Sequence, residues 1–348
     1  MTTINWKAAL RRATLATTFA AVTMGATLST TATAKAVNLT GAGATFPYPL
    51  YAKWFDIYGR TRGTRINYQA IGSGGGIQQI KNGTVDFGAS DAPLTNAELS
   101  GMPAPVVQIP TVAGGVAVIY NGLPRGLRLS GPVLANIYLG QITRWNDAQI
   151  AALNPGMRLP SRAITVVRRS DGSGTSYIFT NYLKSVSPAW ARQIGSGKTV
   201  AWPVGLGGKG SDGVASNVQQ TNGSIGYVEV NYAINNRLPY AALRNRAGNF
   251  VLPTVASVTA AASASASAIQ RDVRTPIVNA PGAASYPISG FTFLILYKNQ
   301  TNKAKGQTLL KFMNWAMGPG QTYAKALYYA PLPQSVKRIN AMKLRTIR

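Results

Sequence analysis

A glycine-rich turn at residues 171–175 is the feature that most constrains the fold of this chain. The segment ahead of it, residues 163–169, is β-branched and apolar, which is typical of a strand. The segment behind it, residues 177–183, has apolar residues at helical spacing. The turn reads Asp-Gly-Ser-Gly-Thr, and its glycines allow the backbone to approach a ligand closely. The sequence therefore predicts a strand, a tight turn and a helix in succession.

This turn has the donors that an anion prefers. The N–H groups at the start of the helix and the hydroxyls of Ser173 and Thr175 are hydrogen-bond donors, and all of them favour an anion there. Arg169, at the end of the strand, adds a planar guanidinium suited to a tetrahedral oxyanion. Taken alone, such a turn is also an ordinary capped helix start.

The same arrangement recurs twice, and the repetition favours a binding site. Ser73 follows a predicted strand at residues 65–72 and opens a short helix. Thr45 and Phe46 lie in a third glycine-rich turn, ahead of Pro47, which is placed to begin a helix. Alternating strands and helices predict an α/β fold with ligands at the carboxyl ends of the strands.

The absence of two residue types excludes most enzyme chemistry. The sequence has no cysteine and no histidine, so it offers no thiol nucleophile, no disulfide, no Ser-His-Asp triad and few zinc ligands. The stretch 195–199 is similar to the end of a nucleotide-binding P-loop, but Arg192 stands where that motif needs a glycine. We therefore predict no catalytic residue, no metal and no cofactor, and a phosphatase-like enzyme is the less favoured alternative.

The net charge of +26 comes from missing carboxylates rather than from added basic residues. Asp and Glu number 9 against 35 Lys and Arg, and the basic residues are scattered rather than gathered in one stripe. The scatter argues against nucleic acid as a partner and leaves adhesion to acidic polymers as a secondary alternative.

The first 36 residues have the parts of a secretory signal. Lys7, Arg11 and Arg12 form a positive region, residues 13–28 are apolar and small, and A-x-A cleavage sequences follow. The apolar part is short for a membrane span. We expect residues 1–36 to be a signal peptide. Because no cysteine offers a lipid anchor, we expect a soluble protein in the periplasm.

Several stretches together resemble the periplasmic phosphate-binding protein of high-affinity phosphate ABC transporters. They are LTGAGATFPYPLYAKW, NYQAIGSGGG, VDFGASDAPL, VVRRSDGSGTS, WPVGLGGKG and GSIGYVEV, and they cover most of the chain after the signal. The resemblance implies a two-lobed Venus-flytrap fold, type II-like with two crossover strands, that closes on one inorganic phosphate. It also implies delivery of that phosphate to a permease in the inner membrane, without any bond being made or broken.

The resemblance also implies a set of ligand residues. Carried over by motif, the phosphate ligands are Thr45, Phe46 through its backbone, Ser73, Asp91, Arg169, Ser173, Gly174 and Thr175. Asp171 would brace Arg169, and Arg168, its neighbour on the strand, would face the opposite way. Gly74 departs from the family pattern, which often has a second serine there.

Asp91 is the residue that would separate phosphate from sulfate. Phosphate keeps a proton near neutrality and can donate it to a carboxylate, whereas sulfate has none and would leave the carboxylate unpaired. Taken by itself, Asp91 is better explained as an ordinary turn residue ahead of Pro93, and it is the companion donors that favour the role of acceptor. A binding protein for sulfate, molybdate or a phosphonate therefore stays open as the alternative.

Two long apolar strands mark where the chain would pass between lobes. Residues 108–120 would cross into the second lobe, and residues 286–297 would return. We predict lobe I from residues 37–112 plus 288–348 and lobe II from residues 113–287, and we expect a monomer. The Ala/Ser-rich segment 256–269 is either a linker or a helix, and its alanines favour the helix.

Overall fold

A computed structural model describes residues 37–348 and shows an α/β protein built on one eight-stranded sheet. The signal peptide predicted for residues 1–36 lies outside the described residues. In chain order, the strands are β1 Leu39–Gly43, β2 Ile66–Ala70, β3 Phe87–Ser90, β4 Val106–Tyr120, β5 Arg128–Leu129, β6 Thr165–Arg169, β7 Leu206–Gly208, β8 Ser224–Glu229, β9 Ala242–Arg244, β10 Phe250–Val251 and β11 Ser289–Tyr297.

Helices alternate with the strands along the chain. They are α1 Tyr48–Arg62, α2 Ser73–Lys81, α3 Asn96–Ser100, α4 Gly131–Tyr138, α5 Ala148–Ala151, α6 Gly174–Val186, α7 Pro188–Gln193, α8 Gly210–Gln220, α9 Val230–Asn235, α10 Val255–Ala264, α11 Ala266–Arg271, α12 Lys303–Met317 and α13 Gln334–Leu344. Two 3₁₀ turns, Pro319–Tyr323 and Lys325–Leu327, precede α13. None of the helices in residues 37–348 combines the length and the apolar character that crossing a bilayer requires.

The large sheet has the order β2-β1-β3-β11-β4-β8-β6-β7, and β4 connects its two parts. Residues 106–115 of β4 pair antiparallel with β11, and residues 116–120 pair antiparallel with β8. On either side the neighbouring strands run parallel, β1 with β2 and β3, and β6 with β7 and β8. A bulge interrupts the β4–β11 pairing where β4 contains Pro110, which has no N–H to donate.

The strand–turn–helix units predicted from the sequence are present. β6 leads through the turn into α6, β2 leads into α2, and α1 begins just after Pro47. The Ala/Ser-rich segment forms α10 and α11, so the helical alternative is correct. The described residues pack as a single compact body. The boundaries of the two lobes therefore stay a prediction.

Candidate anion-binding site

The three glycine turns meet at one place in the structure. The backbone N–H of Gly174, at the start of α6, donates to the hydroxyl of Ser73 at the start of α2, at 3.0 Å. The N–H of Gly74 donates to the carbonyl of Gly172 at 2.8 Å. A Cβ at position 74 would lie 3.1 Å from the Cα of Gly172, so this close approach of two backbones suits the glycine that departs from the family pattern.

The guanidinium of Arg169 is the cation of this site. Its side chain is buried, and its Nη1 donates to the hydroxyls of Thr45 at 3.2 Å and Thr175 at 3.4 Å. The other edge of the fork faces Asp171, with Nε 2.7 Å from Oδ1 and Nη2 bonded to Oδ2. The carboxylate of Asp171 also accepts the N–H of Gly210 at 3.0 Å. The fork is therefore held rigidly while Nη1 points into the site.

Asp171 stays ionised because of this pairing. Partial burial raises the pKa of its carboxyl, but the hydrogen bonds and the charge of Arg169 outweigh burial and hold the pKa below its ordinary value. The arrangement predicted for this pair, a carboxylate that braces the arginine, is present. Arg168 is half-buried, and its Nη1 donates to the backbone carbonyl of Arg169 rather than to a group of the site.

The start of α6 supplies further donors. Ser173 is the N-cap residue, and its hydroxyl accepts the N–H of Ser176 at 3.0 Å. The N–H groups of Thr175 and Phe46 donate to no acceptor within residues 37–348. Both residues are buried. Buried N–H groups without a partner are rare, and here they lie where an anion would accept from them.

Gly174 lies too close to its neighbours for any side chain. A Cβ there would be 2.5 Å from Ser73 Oγ and 2.6 Å from the Cβ and N of Asp91. We expect Gly174→Ala to force α6 away from α2 and Asp91, and overpacking of this kind costs about 1–3 kcal/mol, or roughly tenfold to a hundredfold in anion affinity. Calorimetric titration measures the affinity. The control is Gly59→Ala in α1, where the nearest atom would be 3.4 Å away. Unchanged affinity in Gly174→Ala would contradict the expectation.

Asp91 follows β3 and is 3 % exposed. Its backbone N–H donates to Ser73 Oγ at 3.3 Å, whereas its side-chain Oδ1 is buried without a hydrogen-bond partner within residues 37–348. Burial raises the pKa of this carboxyl to about 7, although the Thr292 hydroxyl and the charge of Arg169 oppose the shift. Asp91 is thus a buried acceptor whose charge depends on pH near neutrality.

Contacts that the sequence analysis missed come from the start of α8 and from two tyrosines. The hydroxyl of Ser211 lies 2.9 Å from Thr45 Oγ1, and the N–H of Ser211 donates to the same oxygen at 3.3 Å. Tyr232 OH donates to the carbonyl of Thr45, and Tyr329 OH donates to that of Phe46. The signal for Ser211 was available, because residues 207–211 read Gly-Gly-Lys-Gly-Ser across the end of β7 and the start of α8, which form a fourth strand–turn–helix unit.

Glu229 is a second buried carboxyl close to this site. It ends β8, pairs with Val116 in the middle of β4, and is completely buried. Its Oε2 accepts the N–H of Asn231 at 2.8 Å, and its Oε1 has no partner within residues 37–348. Burial raises its pKa well above the ordinary value, and the negative charge of Asp91 adds to the shift. The environment of Glu229 therefore favours its protonated form.

Substituting this group should change how stability depends on pH. Between the unfolded and the folded pKa, the folded protein holds a proton that the unfolded chain has released, so the free energy of unfolding falls as pH rises, by at most about 1.4 kcal/mol per pH unit. We expect Glu229→Gln, a neutral mimic of the protonated acid, to show a weaker fall as the pH rises above the unfolded pKa of about 4.3. Urea unfolding in phosphate-free buffer measures this. An equally steep fall in the variant would show that Glu229 is ionised in the folded protein.

Together these groups define what the site can bind. Many N–H and O–H donors and one guanidinium face a single carboxylate acceptor, which suits a tetrahedral oxyanion that still carries a proton. Within residues 37–348 no group of three or more acidic side chains is placed to hold a metal ion. This geometry defines the class of the protein: it is an anion-binding protein whose site lies where the glycine turns meet.

Comparison with known proteins gives the family. A sequence model described as the PBP superfamily domain matches residues 29–319. A solved structure of a high-affinity periplasmic phosphate-binding protein, bound with phosphate, superposes with a TM-score of 0.70 at 24 % identity, covering 87 % of this chain and 92 % of that one. The fold is therefore the two-lobed α/β fold of periplasmic binding proteins, as the sequence predicted.

Closer relatives narrow the family further. The phosphate-binding protein PstS of Xylella fastidiosa (strain 9a5c) is 48 % identical over 311 residues, which are 88 % of this chain and 85 % of that protein. The protein of the same name from Haemophilus influenzae is 46 % identical over 313 residues, covering 89 % and 93 %. This chain belongs to the PstS family. The relatives are named as binding proteins rather than as enzymes.

Proposed function

We propose that this protein binds inorganic phosphate in the periplasm and delivers it to an ABC-type import permease in the inner membrane. One observation carries the proposal: the guanidinium that Asp171 braces is buried at the same site as Asp91, whose Oδ1 has no hydrogen-bond partner within residues 37–348. The first compensates the charge of the anion, and the second accepts the proton that phosphate still carries. The names of the 46–48 % identical relatives support the same ligand.

The proposed ligands act in two groups. Donors surround the anion, and Asp91 is the acceptor that faces its proton. The donors are Thr45 and Ser73 through their hydroxyls, Phe46 and Gly174 through backbone N–H, Arg169 through Nη1, and Ser173 and Thr175 through the first turn of α6. In the present structure Arg169 and Gly174 donate to protein hydroxyls, so phosphate would take over hydrogen bonds that the protein makes internally.

Closure of two lobes on the anion completes the proposal. Lobe I comprises residues 37–112 plus 288–348 and supplies Thr45, Ser73 and Asp91, while lobe II comprises residues 113–287 and supplies Arg169 to Thr175. The closed form would be the one that the permease recognises. Residues 1–36 would direct export, and the protein would act as a monomer that binds without catalysis.

Calorimetric titration of phosphate-stripped protein tests the central claim. Tight 1:1 binding of phosphate that excess sulfate leaves unchanged is the expected result. Weak binding, or equal competition by sulfate, would overturn phosphate as the ligand and favour another oxyanion. Hydrolysis of a phosphomonoester above a control without protein would instead support the phosphatase-like alternative.

A further inference from the structure

A buried hydroxyl on β11 lies beside Asp91. The antiparallel pairing of β3 with β11 sets Phe293 opposite Ser90. Continuing this register by one residue places Thr292 beside Asp91, with the two side chains on the same face of the strand pair. Thr292 is completely buried. It is therefore the cross-strand neighbour of the proposed proton acceptor.

Within residues 37–348, the hydrogen bond that Thr292 makes with a side chain uses its carbonyl and not its own hydroxyl hydrogen. Thr111 Oγ1 donates to the carbonyl of Thr292 at 3.3 Å. Tyr51 OH lies 2.8 Å from Thr111 Oγ1 and must be the donor of that pair, because the hydrogen of Thr111 is already used. Within residues 37–348, neither Thr292 Oγ1 nor Asp91 Oδ1 has a hydrogen-bond partner. A free donor and a free anionic acceptor, buried as neighbours, are expected to satisfy each other.

We propose that Thr292 is a positioning residue for anion selection, which donates its hydroxyl hydrogen to Oδ1 of Asp91. This bond orients the carboxylate and stabilises its ionised form. One oxygen is then engaged by the protein, and the other is left to accept the proton of the bound anion. The inference deepens the proposed function and rests on it. The effect of Thr292 on the pKa of Asp91 has the sign that this bond requires. Burial raises that pKa, and the Thr292 hydroxyl lowers it.

Other ionisable groups also act on Asp91, and the test leaves them unchanged. Arg169 on β6 favours its ionised form. The remaining groups interact with its charge through space. They are Tyr51 on α1, Tyr68 on β2, Glu229 at the end of β8, Tyr232 on α9 and Tyr329 ahead of α13. The Thr292 hydroxyl also lowers the pKa of Tyr51, but burial keeps that pKa above its ordinary value of 10, so Tyr51 stays neutral while Asp91 titrates. A shift in the titration of Asp91 therefore reports the hydroxyl itself.

The test follows the titration of Asp91 by carbon-13 NMR of protein labelled at the aspartate carboxyls, in phosphate-free buffer. The sequence has so few carboxylates that the spectrum is simple, and Asp91→Asn identifies the signal. We expect Thr292→Val to raise the midpoint by about one pH unit or more, the size of a hydrogen bond to a charged group. Thr292→Ser keeps the hydroxyl and should restore the midpoint. Thr180→Val, which removes another buried threonine hydroxyl, should not shift it.

Sulfate binding gives a second readout that a purely structural role of Thr292 would not move. Sulfate should bind only when Asp91 is protonated, so the pH below which sulfate competes should rise in Thr292→Val and return in Thr292→Ser. An Asp91 midpoint unchanged in Thr292→Val would overturn the proposal. If that variant does not fold, Thr292→Ala provides the same comparison with Thr292→Ser. Wild-type protein that binds no phosphate would refute the proposed function separately, while the NMR titration still decides the contact.

Discussion

Arg169→Gln should weaken phosphate binding by about a hundredfold or more. The substitution removes the guanidinium of the site and leaves Asp171 as an uncompensated carboxylate beside the anion. Truncating one partner of a buried, hydrogen-bonded charge pair costs about 2–5 kcal/mol, and each 1.4 kcal/mol is roughly tenfold in affinity. Glutamine keeps two N–H donors. The expected loss of phosphate affinity therefore measures the positive charge and the planar guanidinium rather than hydrogen bonding alone. Calorimetric titration with phosphate at neutral pH gives the affinity.

The adjacent residue provides a matched control for this prediction. Arg168→Gln makes the same change in net charge one position away, but Arg168 is half-buried and its Nη1 donates to the backbone carbonyl of Arg169 rather than to a group of the site. We expect its affinity for phosphate to stay within about threefold of wild type, as is usual for substitutions away from a binding site. Similar losses in the two variants would mean that general electrostatic attraction, and not the braced fork, holds the anion.

The local elements could be predicted from the sequence because each is determined by neighbouring residues. The β-branched run before Arg169 forms β6, and helical spacing after the turn forms α6. The order of the sheet could not be predicted in this way. The pairing of Val116 in β4 with Glu229 in β8 joins residues that are distant in the chain, and no local pattern specifies it.

The same distinction applies to the candidate site. Residues in glycine turns could be identified because the motif itself favours anions, and the structure brings Thr45, Ser73, Arg169 and Gly174 together as the motifs suggested. Their roles as phosphate ligands stay a prediction. Thr292 and Glu229 were missed because each stands between two apolar neighbours in the sequence, and its importance depends on what lies opposite it. The strand register identifies them, and it is known only from the structure.

Asp91→Asn should tighten sulfate binding by roughly a hundredfold at pH 9, two pH units above the pKa of Asp91, while phosphate affinity changes by about tenfold or less. In the wild type, an ionised Asp91 faces a sulfate oxygen with no hydrogen between them, and an unpaired buried charge of this kind costs about 3 kcal/mol. The amide of asparagine offers an N–H to sulfate, and its carbonyl still accepts the proton of phosphate. Competition titrations of phosphate against sulfate measure both affinities.

The pH dependence of sulfate binding provides the sharper form of this prediction. Sulfate carries no proton between pH 5 and pH 9, so any change in its affinity reports the protein. Burial raises the pKa of Asp91 to about 7 in the ligand-free protein, and the protonated carboxyl can donate to sulfate. Wild-type affinity for sulfate should therefore be constant below that pKa and fall about tenfold per pH unit above it. Asp91→Asn should remove this dependence, since its amide does not titrate. If the variant rejected sulfate as strongly as the wild type at pH 9, selection between the two anions would have to come from the donors of the glycine turns, and Asp91 would be only a turn residue.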